Sequence, residues 1–109
     1  MRIEAKPPRP QTIFDVANDL IYGDRNKSYG HPRDNFATTA QMWNAYIDRR
    51  QASHEARSDD AFKLEPVDVA YMLALVKMSR LASNPDHSDS RIDICGYIGC
   101  AERLDEEEV

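Results

Sequence analysis

Two prolines, Pro66 and Pro85, bracket the stretch that most constrains this chain. Proline is tolerated at the first position of a helix, where its missing N–H has no intrahelical partner. Inside a helix it removes a hydrogen bond and clashes with the turn before it. The spacing therefore predicts a helix that starts at Pro66 and stops before Pro85. Between them Val69 to Val76 is apolar almost all round, the pattern of a central, buried helix. Its polar residues come late, with Lys77, Arg80 and Asn84 following Leu73 at helical spacing.

The remaining elements are arranged around that helix. Thr12 with Asp15 three residues on has the spacing of a capping box. Ile13, Ala17, Leu20 and Ile21 then repeat at helical period, and Gly23 is a natural stop. Phe36, Ala40, Trp43 and Ile47 form one stripe of another helix, ending at Asp48-Arg49-Arg50. Phe36, Trp43 and Tyr46 read as core or subunit interface rather than as a base-stacking platform. Gln51 to Lys63 lacks a period and reads as a long loop. A last helix should begin between Asp86 and Ser90 and run to about Leu104, capped by Asp86 with Asp89 or by Ser90 with Asp93. Gly96 and Gly99 weaken it, which makes sense if another helix approaches closely there. Residues 1–9 read as an extended arm and 106–109 as an acidic tail, leaving 10–105 as one domain. Four helices without a strand pair predict an all-α, four-helix bundle-like fold. A chain of 109 residues supports one modest core, which small helical domains often extend by forming oligomers.

Composition narrows the function. The formal net charge of −5 disfavours a general DNA or RNA surface, which needs a basic face. No apolar run is long enough to span a bilayer, and no signal peptide is visible. Cys95 and Cys100 read as reduced core thiols, hence a cytoplasmic chain.

Chemistry concentrates in two polar turns. The second, Asn84 to Asp93, holds His87, Asp89 and Asp93 and follows Lys77 and Arg80. If its flanking helices run antiparallel, Lys77 and Arg80 lie near Asp89 and Asp93. Those groups then form interhelical ion pairs, or they bind phosphate through the cations and Mg²⁺ or a sugar hydroxyl through the acids. The first, Gly23 to Pro32, adds Arg25, Lys27, Tyr29 and His31, with Arg33 just beyond. Its charges either point to water or serve a ligand, with Tyr29 as a stacking ring. His31 and His87 each suit a helix cap as well as a ligand contact, with the cap the simplest single role for His31. Asp68 is read as the acid of the first turn of its helix rather than as a metal ligand. Together Arg25, Lys27, Tyr29, His31, Lys77, Arg80, Asn84, His87, Asp89 and Asp93 form the candidate site.

Gly23-Asp24-Arg25, Tyr29-Gly30-His31-Pro32, Asn35-Phe36, Trp43, Asp68-Val69-Ala70, Arg80-Leu81, Asn84-Pro85-Asp86-His87, Asp89-Ser90, Asp93 and Gly96-Tyr97 resemble a small helical family of phage and prophage proteins of unassigned function. Such proteins are often labelled MazG-like nucleotide pyrophosphohydrolases. The resemblance runs from Ile13 to about Ala101, apart from the loop, and implies an all-α, oligomeric, nucleotide-handling protein of phage origin. MazG-type enzymes hold Mg²⁺ with paired acids in Glu-x-x-Glu and Glu-x-x-Asp spacing on two helices. The predicted site helices here lack a Glu-x-x-Glu pair and offer Asp89 and Asp93 instead. A site with few acids and several cations favours holding an anionic nucleotide over binding two metals. The expectation is a nucleotide-capturing protein, acting in the cytoplasm of an infected or lysogenic host as a sponge for a nucleotide immune signal. A Mg²⁺-dependent nucleoside triphosphate pyrophosphohydrolase is the alternative, and a structural or protein-binding helical module the third.

Overall fold

The computed structural model describes residues 9–23 and 30–107. They form four helices: α1 Ile13–Tyr22, α2 Pro32–Glu55, α3 Pro66–Ser83 and α4 Ser88–Glu107. No strand occurs among the described residues, so the all-α expectation holds.

Helix starts follow local chemistry. Thr12 Oγ1 accepts the Asp15 N–H at 3.2 Å, and the Asp15 carboxylate accepts the Thr12 N–H at 2.9 Å, the capping box expected from the sequence. Arg9 grips the same carboxylate at 2.9 Å, which with the cap lowers the Asp15 pKa. At the other end of α1 a Cβ on Gly23 would fall 2.7 Å from the Asp19 carbonyl oxygen, so no side chain fits there. Proline opens both α2 and α3, and Asn84 closes α3 by donating its N–H to the Arg80 carbonyl at 2.9 Å.

Three boundaries differ from the sequence expectation. First, α2 continues through Gln51 to Glu55, because these residues are good helix formers and the Gln51 amide reaches Glu55 at 3.3 Å. The loop is therefore 56–65, and it folds back on α2: His54 Nε2 lies 2.9 Å from the Asp60 carbonyl, and Phe62 lies under Arg50. Second, α4 extends through part of the acidic tail to Glu107, where Arg103 pairs with Glu107 at 3.0 Å. Third, neither expected capping box opens α4; His87 does so instead, its Nδ1 accepting the Ser90 N–H at 3.2 Å.

The packing is a layer rather than a closed bundle. Helix α2 runs antiparallel to α3: Asn35 meets Ser79, Trp43 meets Met72, and Arg50 meets Asp68. Helix α4 runs antiparallel to α3 on its other side, with Lys77 against Asp93. On a helical wheel positions 68, 72 and 79 fall within about 40° of one another, and 70, 74 and 77 lie roughly opposite. So α2 and α4 flank α3 and do not pack on each other. Among the described residues α1 packs against none of the other helices.

The core is correspondingly thin. Ala70, Met72, Ala74 and Ala101 are its buried apolar residues, outnumbered by buried Asn35, Thr39, Asp68, Ser79 and Ser90. Helix α3 is central, as expected, yet Val69, Tyr71 and Leu73 remain exposed. The expected apolar stripe of α2 is displaced: Phe36 is 57% exposed, while Asn35 and Thr39 are buried beside it. Cys95 and Cys100 are both exposed free thiols, not core residues, because they lie on sides of α4 that α3 does not cover. Gly96 and Gly99 likewise have no neighbour within 4 Å of an added Cβ, so among the described residues no helix makes the close approach expected there.

Candidate functional site

One end of the layer gathers the start of α2, the end of α3 and the start of α4. Gly30, at φ +77°, takes a left-handed conformation that glycine adopts at no steric cost. A Cβ built on it would lie 3.8 Å from Ser83 Oγ, so the chain entering α2 runs against the last turn of α3. One turn further in, Ser79 Oγ stands 2.9 Å from the Asn35 carbonyl oxygen and 2.7 Å from Asn35 Oδ1, sharing its hydrogen between them. Thr39 Oγ1 also donates to that carbonyl, at 3.0 Å. This buried polar knot fixes the register of α2 on α3 near the start of α2 and the end of α3.

Both histidines of the turns cap helices. His31 Nδ1 accepts the Arg33 N–H at 3.0 Å at the start of α2. His87 Nδ1 accepts from Ser90, with Ser90 Oγ at 2.8 Å, at the start of α4. Accepting at Nδ1 leaves the ring proton on Nε2 in each case. Two helix N-termini, which carry partial positive charge, therefore open at the same end of the layer. The second turn is further tied by the His87 N–H donating to the Asn84 carbonyl at 3.1 Å and by Arg91 Nη2 donating to the Pro85 carbonyl at 2.8 Å.

The other candidate residues divide clearly. Arg25, Lys27 and Tyr29 lie outside the described residues. Lys77 and Asp93 form the interhelical ion pair anticipated from their spacing, Nζ to Oδ2 2.9 Å, with Lys77 mostly buried. Arg80 and Asn84 are half-buried in the final turns of α3, and Asp89 is exposed in the first turn of α4. Asp93 is engaged by Lys77, and among the described residues no three His, Cys, Asp or Glu side chains group closely enough to hold a metal.

The strongest electrostatic cluster is elsewhere and was missed by sequence reasoning as a unit. Asp68, 0% exposed, sits at the opposite end of α3. Its Oδ1 accepts from Tyr46 Oη at 2.6 Å and from Arg50 Nε at 2.6 Å, and its Oδ2 accepts the Glu65 N–H at 2.8 Å. Burial alone would raise its pKa, but hydrogen bonds from Arg50, Tyr46 and the Glu65 N–H outweigh it and hold the carboxyl at about 2. Burial and the Asp68 charge together push the Tyr46 hydroxyl up to about 12. Tyr46 and Arg50, four apart on α2, with an acid in the first turn of an apolar helix, were the available signal. With every Asp68 bond made inside the protein, the cluster locks α2 to α3. It agrees with reading Asp68 as a first-turn acid, and adds two partners on α2.

The 56–65 loop belongs to that locked end. It joins the end of α2 to the start of α3, about 27 Å along α3 from the turn between α3 and α4 at 1.5 Å per residue. No helix among the described residues is long and apolar enough to cross a membrane.

Two phage proteins are similar to this chain. The Gene 55 protein of Mycobacterium phage D29 is 36% identical over 99 residues, covering 91% of this chain and 57% of that protein. The Gene 55 protein of Mycobacterium phage L5 is 31% identical over 93 residues, covering 85% and 52%. The chain thus spans about half the length of these curated relatives. No solved structure matches. The model of the domain of unknown function DUF6378 matches residues 12–105, and the chain belongs to that family, shared with phage proteins of unassigned function.

Proposed function

We propose that the end of the layer where α2 and α4 begin captures a phosphorylated nucleotide. The observation that carries this reading is that two histidine-capped helix N-termini open at the same end of the layer, one on either side of the cationic last turns of α3. The partial positive charge of a helix start favours anions, and a guanidinium adds a bidentate grip on phosphate. In this reading Arg80 holds phosphate oxygens in the positive field of the two helix starts. Arg25 and Lys27, earlier in the sequence, add charge, and Tyr29 stacks on the base. Lys77 is shared between the phosphate and Asp93. His31, Asn84 and His87 shape the pocket and offer ring and amide N–H donors, while Asp89 and Asp93 accept from sugar hydroxyls.

Capture is preferred to cleavage because the acids do not assemble a metal site among the described residues. The resemblance to MazG-like proteins supports the alternative, a Mg²⁺-dependent pyrophosphohydrolase, in which Asp89 and Asp93 would hold the ion. For a family shared with phages, a non-catalytic binder in the host cytoplasm fits a sponge that removes a nucleotide immune signal, working as a homo-oligomer.

Titration calorimetry with a panel of mono-, di-, tri- and cyclic nucleotides tests the reading. At least one should bind, and Arg80→Ala should weaken it tenfold or more, about 1.4 kcal/mol. Pyrophosphate release with Mg²⁺ at an ordinary enzymatic rate would overturn capture in favour of hydrolysis. Absence of binding across the panel would leave a structural or protein-binding module.

A further inference from the structure

We propose that α1 docks along the groove between α3 and α4 of its own chain, laying Ile13, Ala17, Leu20 and Ile21 against Val69, Leu73, Tyr97 and Leu104. The groove, of about 470 Å³, begins at Pro66 and is lined almost wholly by apolar atoms. A domain buries its apolar faces by stacking layers, and α1 is the one helix of this chain left to build a second layer on α2, α3 and α4.

Helix α1 needs such a surface. On a helical wheel Ile13, Phe14, Val16, Ala17, Leu20 and Ile21 share an arc of about 160°, and Asp15, Asn18, Asp19 and Tyr22 fill the opposite side. All six apolar residues of that arc are exposed. Isolated helices shorter than roughly 12–15 residues are marginal in water, so packing of the apolar face has to hold a helix as short as this one. Its capping box and the stop at Gly23 fix the ends of α1 but bury nothing.

Reach, size and direction favour this occupant over a second copy. The chain enters α2 beside the last turn of α3, where Gly30 faces Ser83. Leu73, the near end of the groove, lies about 15 Å along α3 from Ser83. The seven residues between Tyr22 and Gly30 span up to roughly 23–25 Å, enough for the end of α1 to reach Leu73. A short tether of this kind gives an effective concentration on the order of millimolar, well above that of a free second chain in ordinary solution. The groove also has the dimensions of one short helix. Nine residues line it, whereas a stable interface between chains takes roughly 20–30 residues a side. Its α3 wall, Pro66 to Leu73, is about 10 Å long and α1 about 15 Å. With its C-terminal end toward Ser83, α1 runs antiparallel to α2 and α4, the alternation of an up-and-down bundle. Gly96, one turn before Cys100, has nothing within 4 Å of an added Cβ and leaves room there for another backbone.

The two cysteines report on the docking. Both are exposed free thiols in the undocked arrangement, and Cys100 lines the groove whereas Cys95 does not. Alkylation of the full chain, read by mass spectrometry, should modify Cys100 at least tenfold more slowly than Cys95, with the ratio unchanged over a thousandfold dilution. Leu20→Asp should equalise the two rates. The reciprocal variant, Leu73→Asp, is read on α1 itself: hydrogen exchange of the amides of Ile13–Tyr22 should be slow in wild type and at least tenfold faster in the variant. Equal thiol rates in wild type overturn the proposal, as does exchange in α1 that Leu73→Asp leaves unchanged. Protection of Cys100 that survives Leu20→Asp, or that disappears on dilution, gives the groove to a second copy and overturns it as well.

Discussion

The two seams along α3 are built from different chemistry. The α2 seam is polar and directional: Ser79 on Asn35, the Trp43 indole N–H donating to the Met72 carbonyl at 2.7 Å, and Tyr46 with Arg50 on Asp68. The α4 seam is made of small residues, Ala70, Ala74, Ser90 and Ala101, with Lys77–Asp93 as its ion pair. Hydrogen bonds demand one alignment, so the α2 seam sets register and tolerates little change. Small side chains let backbones approach and leave larger neighbours, Leu73 and Leu104, facing outward into a groove. One seam closes the fold; the other leaves a surface.

Breaking the polar seam should cost most. Arg50→Ala strands a buried carboxylate, and urea unfolding should show a loss of about 3 kcal/mol at every protein concentration. Asn35→Ala removes one of the two acceptors that share the Ser79 hydrogen and keeps the backbone carbonyl, so it should cost about 1 kcal/mol in the same assay.

Acid sharpens the contrast. The Asp68 pKa is lowered from 3.8 to about 2 in the folded chain, so its contribution is present above pH ~4 and lost as pH falls through about 2. That contribution is worth about 2 kcal/mol. Urea midpoints measured from pH 5 to pH 2 should fall accordingly, and Arg50→Ala should flatten the part of the fall due to Asp68. The smallest effect belongs to the α4 seam: Lys77→Met removes an ion pair whose Asp93 carboxylate is half-exposed, keeps the buried stem of the side chain, and should change stability by less than about 1 kcal/mol.

Helix starts were legible in the sequence because caps and prolines are local signals. Thr12 with Asp15, Pro32, Pro66 and the stop at Asn84-Pro85 all stand where local chemistry puts them. The buried face of α2 was not legible. Periodicity locates a face by its apolar residues, and this face is Asn35, Thr39, Tyr46 and Arg50 with Trp43 among them. A stripe of polar groups becomes core only through partners on another helix. Layer against bundle was equally hidden: short connections make neighbours antiparallel but do not say which side of α3 each takes. The cysteines show the same limit, since residue type suggested burial and their place on α4 decided otherwise. In the candidate site the roles of His31 as a cap and of Lys77 with Asp93 as a pair followed from spacing. The close approach of Gly30 to Ser83, which sets the start of α2 against the last turn of α3, needed the fold.

The most direct measurement of nucleotide capture is to incubate the protein with a nucleotide extract, wash it, denature it and identify what it releases by mass spectrometry. The expected result is an intact phosphorylated nucleotide, present with wild type and reduced at least tenfold with Arg80→Ala. Release of cleaved products, or of no nucleotide at all, would contradict it.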